Sequence, residues 1–319
     1  MNKILLAVSL ATTLAATGAC SRSETAVANP SADAGKQAYE KQILDWRADR
    51  VQRLKKPDGW LSLVGMHWID VGSTRVGSAA DNGTRLSVGP AHIGMVTVSR
   101  DGRITLQPER DAAITIDGQP AKGPVTLVSD AAASDSTPQT VVGFNKGDAS
   151  FVVIKRGERY ALRVRDALAP TRTGFTEIPY FGIDPSFRVT AKFAAHEPGK
   201  KIEIVNILGM VEPMDNPGTV TFEKDGKSFT METIDEGDHR LFLVYADRTS
   251  GHESYAAARF LYAEYPGADG TTVVDFNEGY NPPCAFTAYS TCPMPPPQNR
   301  LDLAITVGEK KPLKPGTTL

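Results

Sequence analysis

Two cysteines, Cys284 and Cys292, stand with seven residues between them inside a run of prolines. Pro282 and Pro283 precede the first; Pro293, Pro295, Pro296 and Pro297 follow the second. Thiols so placed can do three kinds of chemistry. In an oxidising compartment they close a disulfide, worth roughly 2.6 kcal/mol in the chain-entropy model. As ligands of a structural zinc they would need two further partners, and the nearest histidine in sequence is His252. As nucleophiles they would need a base, and none lies beside them in the chain. No cofactor is predicted apart from that metal alternative. Prolines reduce the entropy lost in fixing such a loop, so it can present its polar neighbours in constant geometry.

Those neighbours form the densest candidate site in the chain. Arg259 could hold an anionic group through its planar fork, and Asp275 could act as a base or orienter. His252, next to Glu253, is a candidate for proton transfer. The catalytic candidates are therefore His252, Arg259 and Asp275. The ligand-binding candidates are Arg259, Asp275, Asn277, Tyr280 and Asn281. A plainer arrangement is open at the same residues. Arg259 and Asp275 could pair across adjacent strands, Asn281 could cap the turn into the proline loop, and His252 could sit on a surface turn. His67, between Met66 and Trp68, reads as a core or rim histidine. No nucleophile elbow, phosphate loop, His-Glu-x-x-His or dinucleotide fingerprint occurs.

The elements that must position these residues read as mainly β. An N-terminal helix is followed by two β-sandwich or barrel-like units. Tyr39, Ile43, Trp46, Val51 and Leu54 recur at helical spacing, which predicts a helix over 38–57. Beyond Pro57, short apolar runs alternate with turns. Six Asx-Gly pairs (at 58, 82, 101, 117, 225 and 269) supply the positive φ that hairpins need. Runs such as Met95–Val98, Ile114–Ile116, Phe151–Lys155 and Tyr160–Val164 place an N-terminal β domain over 58–170. A C-terminal β domain follows over 171–310, with strands predicted from Phe187 onward and a last one at Leu301–Val307. Residues 311–319 read as a tail.

Residues 1–19 read as an export signal: Lys3, an uncharged apolar stretch from Ile4 to Ala16, then Thr17, Gly18 and Ala19 before Cys20. Small residues ending on a cysteine resemble a bacterial lipobox. That resemblance implies acylation of Cys20, a partner in the membrane itself, and a flexible tether over 20–37. Ser21 after the cysteine implies the periplasmic face of the outer membrane. The whole chain of 319 residues carries Lys+Arg 35 against Asp+Glu 37. A net charge of −2 argues against a nucleic-acid partner held by bulk positive charge. The charged share of 23% and apolar share of 41% argue against wholesale disorder.

Two signatures resemble one known family. The first is Thr249-Ser250-Gly251-His252-Glu253-Ser254-Tyr255 with Arg259-Phe260-Leu261-Tyr262. The second is Asp275-Phe276-Asn277-Glu278-Gly279-Tyr280-Asn281-Pro282-Pro283-Cys284, then Cys292-Pro293, Gln298-Asn299-Arg300-Leu301 and Gly308-Glu309-Lys310. Together they resemble the family known as domain of unknown function 1684, with 38–310 similar to its long form. Where that family usually has Tyr-Gly-Ala-Gly-Arg, this chain has Tyr255-Ala256-Ala257-Ala258-Arg259. The resemblance implies a two-part organisation and no activity. Three readings follow: an envelope lipoprotein binding a small ligand or partner through its C-terminal β domain, a periplasmic hydrolase with a pocket around Arg259 and Asp275, or a metal-binding protein using Cys284 and Cys292.

Overall fold

The structure, a computed structural model, describes residues 30–313. The export signal, Cys20 and most of the tail lie outside the described residues. The architecture is mainly β, with one long helix and several antiparallel sheets, none closed into a barrel.

The helix spans Pro30–Leu54. It starts eight residues earlier than predicted, so the segment expected as tether is helical from Pro30 on. Proline suits a first helical position, where its missing N–H is no loss, and Ala32 and Ala34 favour helix. The inward stripe runs through Tyr39, Ile43, Trp46, Arg50 and Leu54. The predicted apolar stripe is therefore present, but a buried arginine sits in its middle. The helix docks on the C-terminal unit. Arg50 Nε meets Glu309 Oε1 at 2.9 Å, and Tyr39 Oη donates to Asp275 at 2.9–3.0 Å.

The N-terminal unit is two sheets around one core. The first runs, in order across the sheet, Leu63–Ile69, Arg159–Asp166, Ala149–Arg156, Val141–Phe144, Thr115–Ile116 and Gln119–Pro120. The second is built on Gly72–Gly77, Gly94–Val98 and Ile104–Pro108. Val96, Leu106, Phe151, Val153, Leu162 and Val164 meet between them. Phe151 to Ile154 are buried without alternation. This continuous apolar run marks a strand covered on both faces, and Val152, Ile154 and Ala161 pack with Met66 and Trp68 on the second face.

The Asx-Gly pairs divide. Asp117-Gly118 and Asp225-Gly226 put both residues at positive φ and close two-residue hairpins. Gly102 and Gly270 are also at positive φ. Gly59 has φ −73°, and its pair leads instead into the helical turn Trp60–Ser62.

In the C-terminal unit a four-stranded sheet runs Lys227–Glu232, Gly218–Lys224, Arg188–Ala195, Thr271–Asp275. Two hairpins accompany it: Lys201–Val205 with Val211–Asp215, and Arg240–Tyr245 with Arg259–Glu264. Val211–Asp215 was not predicted, because Pro213 inside it argues against a strand. Conversely, Leu301–Val307 alternates buried Leu301, Leu303, Ile305 and Val307 with exposed residues, as a strand would, but forms no strand, contrary to expectation. Its backbone groups are taken by other partners. Ile305 N–H donates to Asp247 at 2.7 Å, and the carbonyls of Ile305 and Val307 accept from Arg259.

Candidate functional site

The residues singled out by sequence are mostly structural ties. Arg259 has no exposed surface. Its guanidinium donates to Val307 O at 2.6 Å and Ile305 O at 2.8 Å, and lies 3.2 Å from Asp247 Oδ1. Its ionic partner is thus Asp247 rather than Asp275. Asp275 accepts from Tyr39 Oη and from the backbone and side-chain nitrogens of Asn277, with Arg188 Nε at 3.4 Å. Asn277 is spent on Asp275 and on the backbone of Asp184. Asn281 donates its N–H to Glu309 and its amide to Lys310 O. Burial pushes the Glu309 carboxyl up, opposed by Arg50 and by the Asn281 N–H. His252 sits on an exposed turn, its N–H on Thr249 O. Of the five ligand-binding candidates, Tyr280 lines a cavity that Arg259, Asp275, Asn277 and Asn281 do not line.

That cavity lies where the helix, the N-terminal unit and the C-terminal unit meet, and has a volume of about 980 Å³. The helix supplies Trp46 and Arg50; the N-terminal unit supplies Trp60, Arg156 and Arg163. From the C-terminal unit come Phe260, Tyr262, Tyr280, Glu236, Glu278 and Cys292. Tyr262 and Tyr280 stack at 6.4 Å between centroids, and Arg50 lies over the Tyr280 ring at 4.7 Å. The predicted site in the C-terminal domain alone is therefore replaced by one that three parts of the chain complete.

Most cations at this cavity are already neutralised. Arg50 holds Glu309, Arg156 holds Asp130 at 2.7 Å, and Arg240 holds Asp238. Arg163 is different. It is 5% exposed, its side chain forms no hydrogen bond or ion pair among the described residues, and its Nε is buried without a partner. It lies 5.5 Å over the Trp60 ring. Burial first, then the neighbouring Arg156, pull its ionisation down to about 10, so it is still a cation at neutral pH. Isolated buried charge is expensive. An anion arriving in the cavity would relieve that cost.

Cys292 lies in the same wall. Its Sγ accepts the Cys284 N–H at 3.2 Å and contacts Ser290 Oγ at 3.4 Å. The neighbouring Cys284 thiol pulls Cys292 below the ordinary thiol value, with Ser290, the Cys284 N–H and the charge of Arg163 helping against burial. Cys284 is pushed up for the complementary reason. The two sulfurs of the expected disulfide do not stand at disulfide distance, and both cysteines are free in this structure. Nor do they gain further ligands, since among the described residues no three His, Cys, Asp or Glu side chains cluster as a metal site would require.

A family model, Protein of unknown function (DUF1684), matches residues 173–310. The chain belongs to this family. The match spans the C-terminal unit, both signatures and the cysteine loop. A DUF1684 chain of this kind is similar to an uncharacterized protein of Haloarcula marismortui known from a solution NMR structure. The two are 30% identical over 44% of this chain and 78% of that one, with a TM-score of 0.37. No curated protein matches the chain. Arg163, Trp60 and the helix lie outside the DUF1684 match, whereas Glu278, Tyr280 and Cys292 lie inside it.

Sequence reasoning missed Arg163 because its strand alternates. Leu162 and Val164 face the core, which leaves Arg163 at a position that simple alternation assigns to solvent. The available signal was next door, in the unbroken apolar run Phe151–Ile154, which required cover on the face that Arg163 shares.

Glu278 is half-buried at the cavity, and burial, then the charge of Asp275, raise it to about 7. Its folded pKa lies above its ordinary value of 4.5. Its contribution to stability is therefore complete at acid pH and lost as pH rises from 4.5 to about 7. Glu278→Gln is expected to remove roughly 1–2 kcal/mol of that loss, allowing for solvent at a half-buried group. Urea unfolding at pH 4.5 and pH 8 checks it; an unchanged pH dependence in the variant refutes it.

Proposed function

We propose that this DUF1684 protein is an envelope lipoprotein that binds a small anionic ligand with an aromatic or apolar body in the cavity between helix and β units. The observation that carries the binding reading is Arg163: a buried, unpartnered guanidinium at an aromatic-walled cavity. A phosphate or carboxylate would supply the charge-assisted bonds that Arg163 lacks. Trp46, Trp60 and the stacked Tyr262 and Tyr280 would pack the ligand's apolar part. Two carboxylates, Glu236 and Glu278, set an acidic boundary that disfavours a second anionic group near them.

Phenyl phosphate is a suitable probe. Saturable binding at one site per chain by calorimetry, competed by inorganic phosphate and absent for phenol, is the expected outcome. Equal binding of phenol and phenyl phosphate, or no binding of either, defeats the reading.

The lipobox at Cys20 supports anchoring, and its Ser21 supports the outer membrane as the address. Acyl chains add about 0.8 kcal/mol for each buried methylene. Labelled palmitate should enter the wild-type chain expressed in a Gram-negative host and be absent from Cys20→Ser. Equal labelling of both ends the lipoprotein proposal. In that oxidising compartment the adjacent Cys284 and Cys292 would pair.

A further inference from the structure

The cavity wall holds two features with no role in anion binding as such: a thiol activated by its surroundings and a second thiol directly behind it. We infer that Cys292 and Cys284 form a reversible dithiol–disulfide couple worked through the cavity, with Cys292 as the attacking sulfur and small carboxylate-bearing disulfides and thiols as the substrate class. This rests on the proposed anion site, because Arg163 is what would hold the substrate's carboxylate.

The geometry separates the two sulfurs. Cys292 lines the cavity and Cys284 does not. The Cys284 N–H donates to Cys292 Sγ, and the Cys292 thiol donates to Ser290 Oγ, whose hydroxyl is free to turn towards a thiolate once that proton is gone. These contacts, with Arg163 nearby, favour a thiolate at Cys292, and thiolates are the species that attack disulfides. Arg156 fixes the loop from the other side: its Nε donates to Thr291 Oγ1 at 2.7 Å while its ion pair with Asp130 anchors it in the N-terminal unit. The residue preceding Cys292 is thus tied to the wall that carries Arg163. Cys284, in the helical turn Pro283–Ala285, stays protonated until needed.

The exchange balances without any further reagent. Cys292 thiolate attacks one sulfur of R–S–S–R, the S–S bond breaks, and one R–S⁻ leaves with the electron pair. A mixed disulfide, Cys292–S–S–R, results. Cys284 then gives its proton to solvent and attacks the Cys292 sulfur, expelling the second R–S⁻ and closing Cys284–Cys292. The dithiol is oxidised, and R–S–S–R is reduced to two thiols. Run backwards, two carboxylate-bearing thiols reduce the protein disulfide.

The test uses the full chain carrying Cys20→Ser, reduced, so that Cys284 and Cys292 are its thiols. The probe is 5,5′-dithiobis(2-nitrobenzoate), an anionic aromatic disulfide. Two thiolates should be released per chain, leaving no adduct and a mass lower by two hydrogens. In Cys284→Ser one thiolate is released and the adduct remains on Cys292. In Cys292→Ser the reaction at Cys284 is slower by about tenfold or more, since its thiolate fraction is small. Arg163→Met should slow the anionic probe about tenfold more than cystamine, a cationic disulfide, because the loss of thiolate stabilisation touches both probes and the loss of carboxylate binding only the first.

Two retained adducts in the parent chain, or equal rates for the two cysteine variants, overturn the couple. Equal slowing of the anionic and cationic probes in Arg163→Met overturns the substrate class. The double variant Cys284→Ser/Cys292→Ser should still bind phenyl phosphate. If it does while exchange fails in the parent chain, the couple is wrong and the anion site stands. If the wild-type chain also binds no phenyl phosphate, the cavity reading itself has failed.

Discussion

Arg259→Ala is expected to lower the stability of the protein by about 3–5 kcal/mol, enough to leave much of the C-terminal unit unfolded at 37 °C. Three losses coincide. The buried Asp247 carboxylate, which also accepts from Thr249 Oγ1 and from Ile305 N–H, loses its counter-charge. The carbonyls of Ile305 and Val307 lose their donors in a place water does not reach. Arg259 is also among the largest fully buried side chains, so truncation leaves a void beside Tyr245, whose ring lies 5.2 Å from the guanidinium carbon. Urea unfolding followed by circular dichroism measures the loss. A companion variant strengthens the test. Replacing Arg259 and Asp247 together by Met and Leu should cost less than Arg259→Ala alone, because no charge is then stranded. A loss of less than about 1 kcal/mol in Arg259→Ala would show that packing and the remaining backbone bonds to Ala246 and Arg248 suffice to hold the irregular segment Leu301–Val307.

The same arginine explains what could and could not be read from the sequence. Its motif was plain, and so were the strand Arg259–Glu264 it opens and the helix stripe that leads to Leu54. Local periodicity carries that information. What periodicity cannot carry is which polar residue meets which. Arg259 was expected either to bind a ligand or to pair with Asp275. It pairs with Asp247, twelve residues upstream in a loop, and supplies side-chain donors to the carbonyls of Ile305 and Val307, where the backbone bonds of Leu301 and Leu303 to Ala246 and Arg248 do not continue as a ladder. Asp275 is claimed by Tyr39, 236 residues away in sequence. Dense motifs signal dense interactions, and in an interior those interactions are first spent on satisfying buried polar groups. Glu309, Asn281 and Asn277 follow the same logic. The cavity was illegible for the converse reason. Its decisive residue, Arg163, lies in no motif, and its isolation exists only once the helix and the C-terminal unit cover its face of the strand.

That isolation leads to a prediction of opposite signs. Arg163→Met should make the protein more stable by about 1–2 kcal/mol, because a desolvated and unpaired charge is replaced by an apolar chain of similar length. The same substitution should weaken phenyl phosphate binding about 100-fold, the equivalent of roughly 2.7 kcal/mol, as expected for the loss of a charge-assisted pair. Urea unfolding without ligand gives the first quantity and calorimetry gives the second. An arginine that merely supports the fold would give a less stable variant, and an idle one would change neither quantity. A gain in stability coupled to a loss of binding has one physical origin: a guanidinium largely withdrawn from water, with its Nε buried and unpartnered, at a cost to folding, in the position where an anion is to arrive. Phosphate-linked stabilisation closes the argument. Saturating phenyl phosphate should raise the unfolding free energy of the wild-type chain and leave Arg163→Met nearly unmoved, since only the form that binds is stabilised by its ligand.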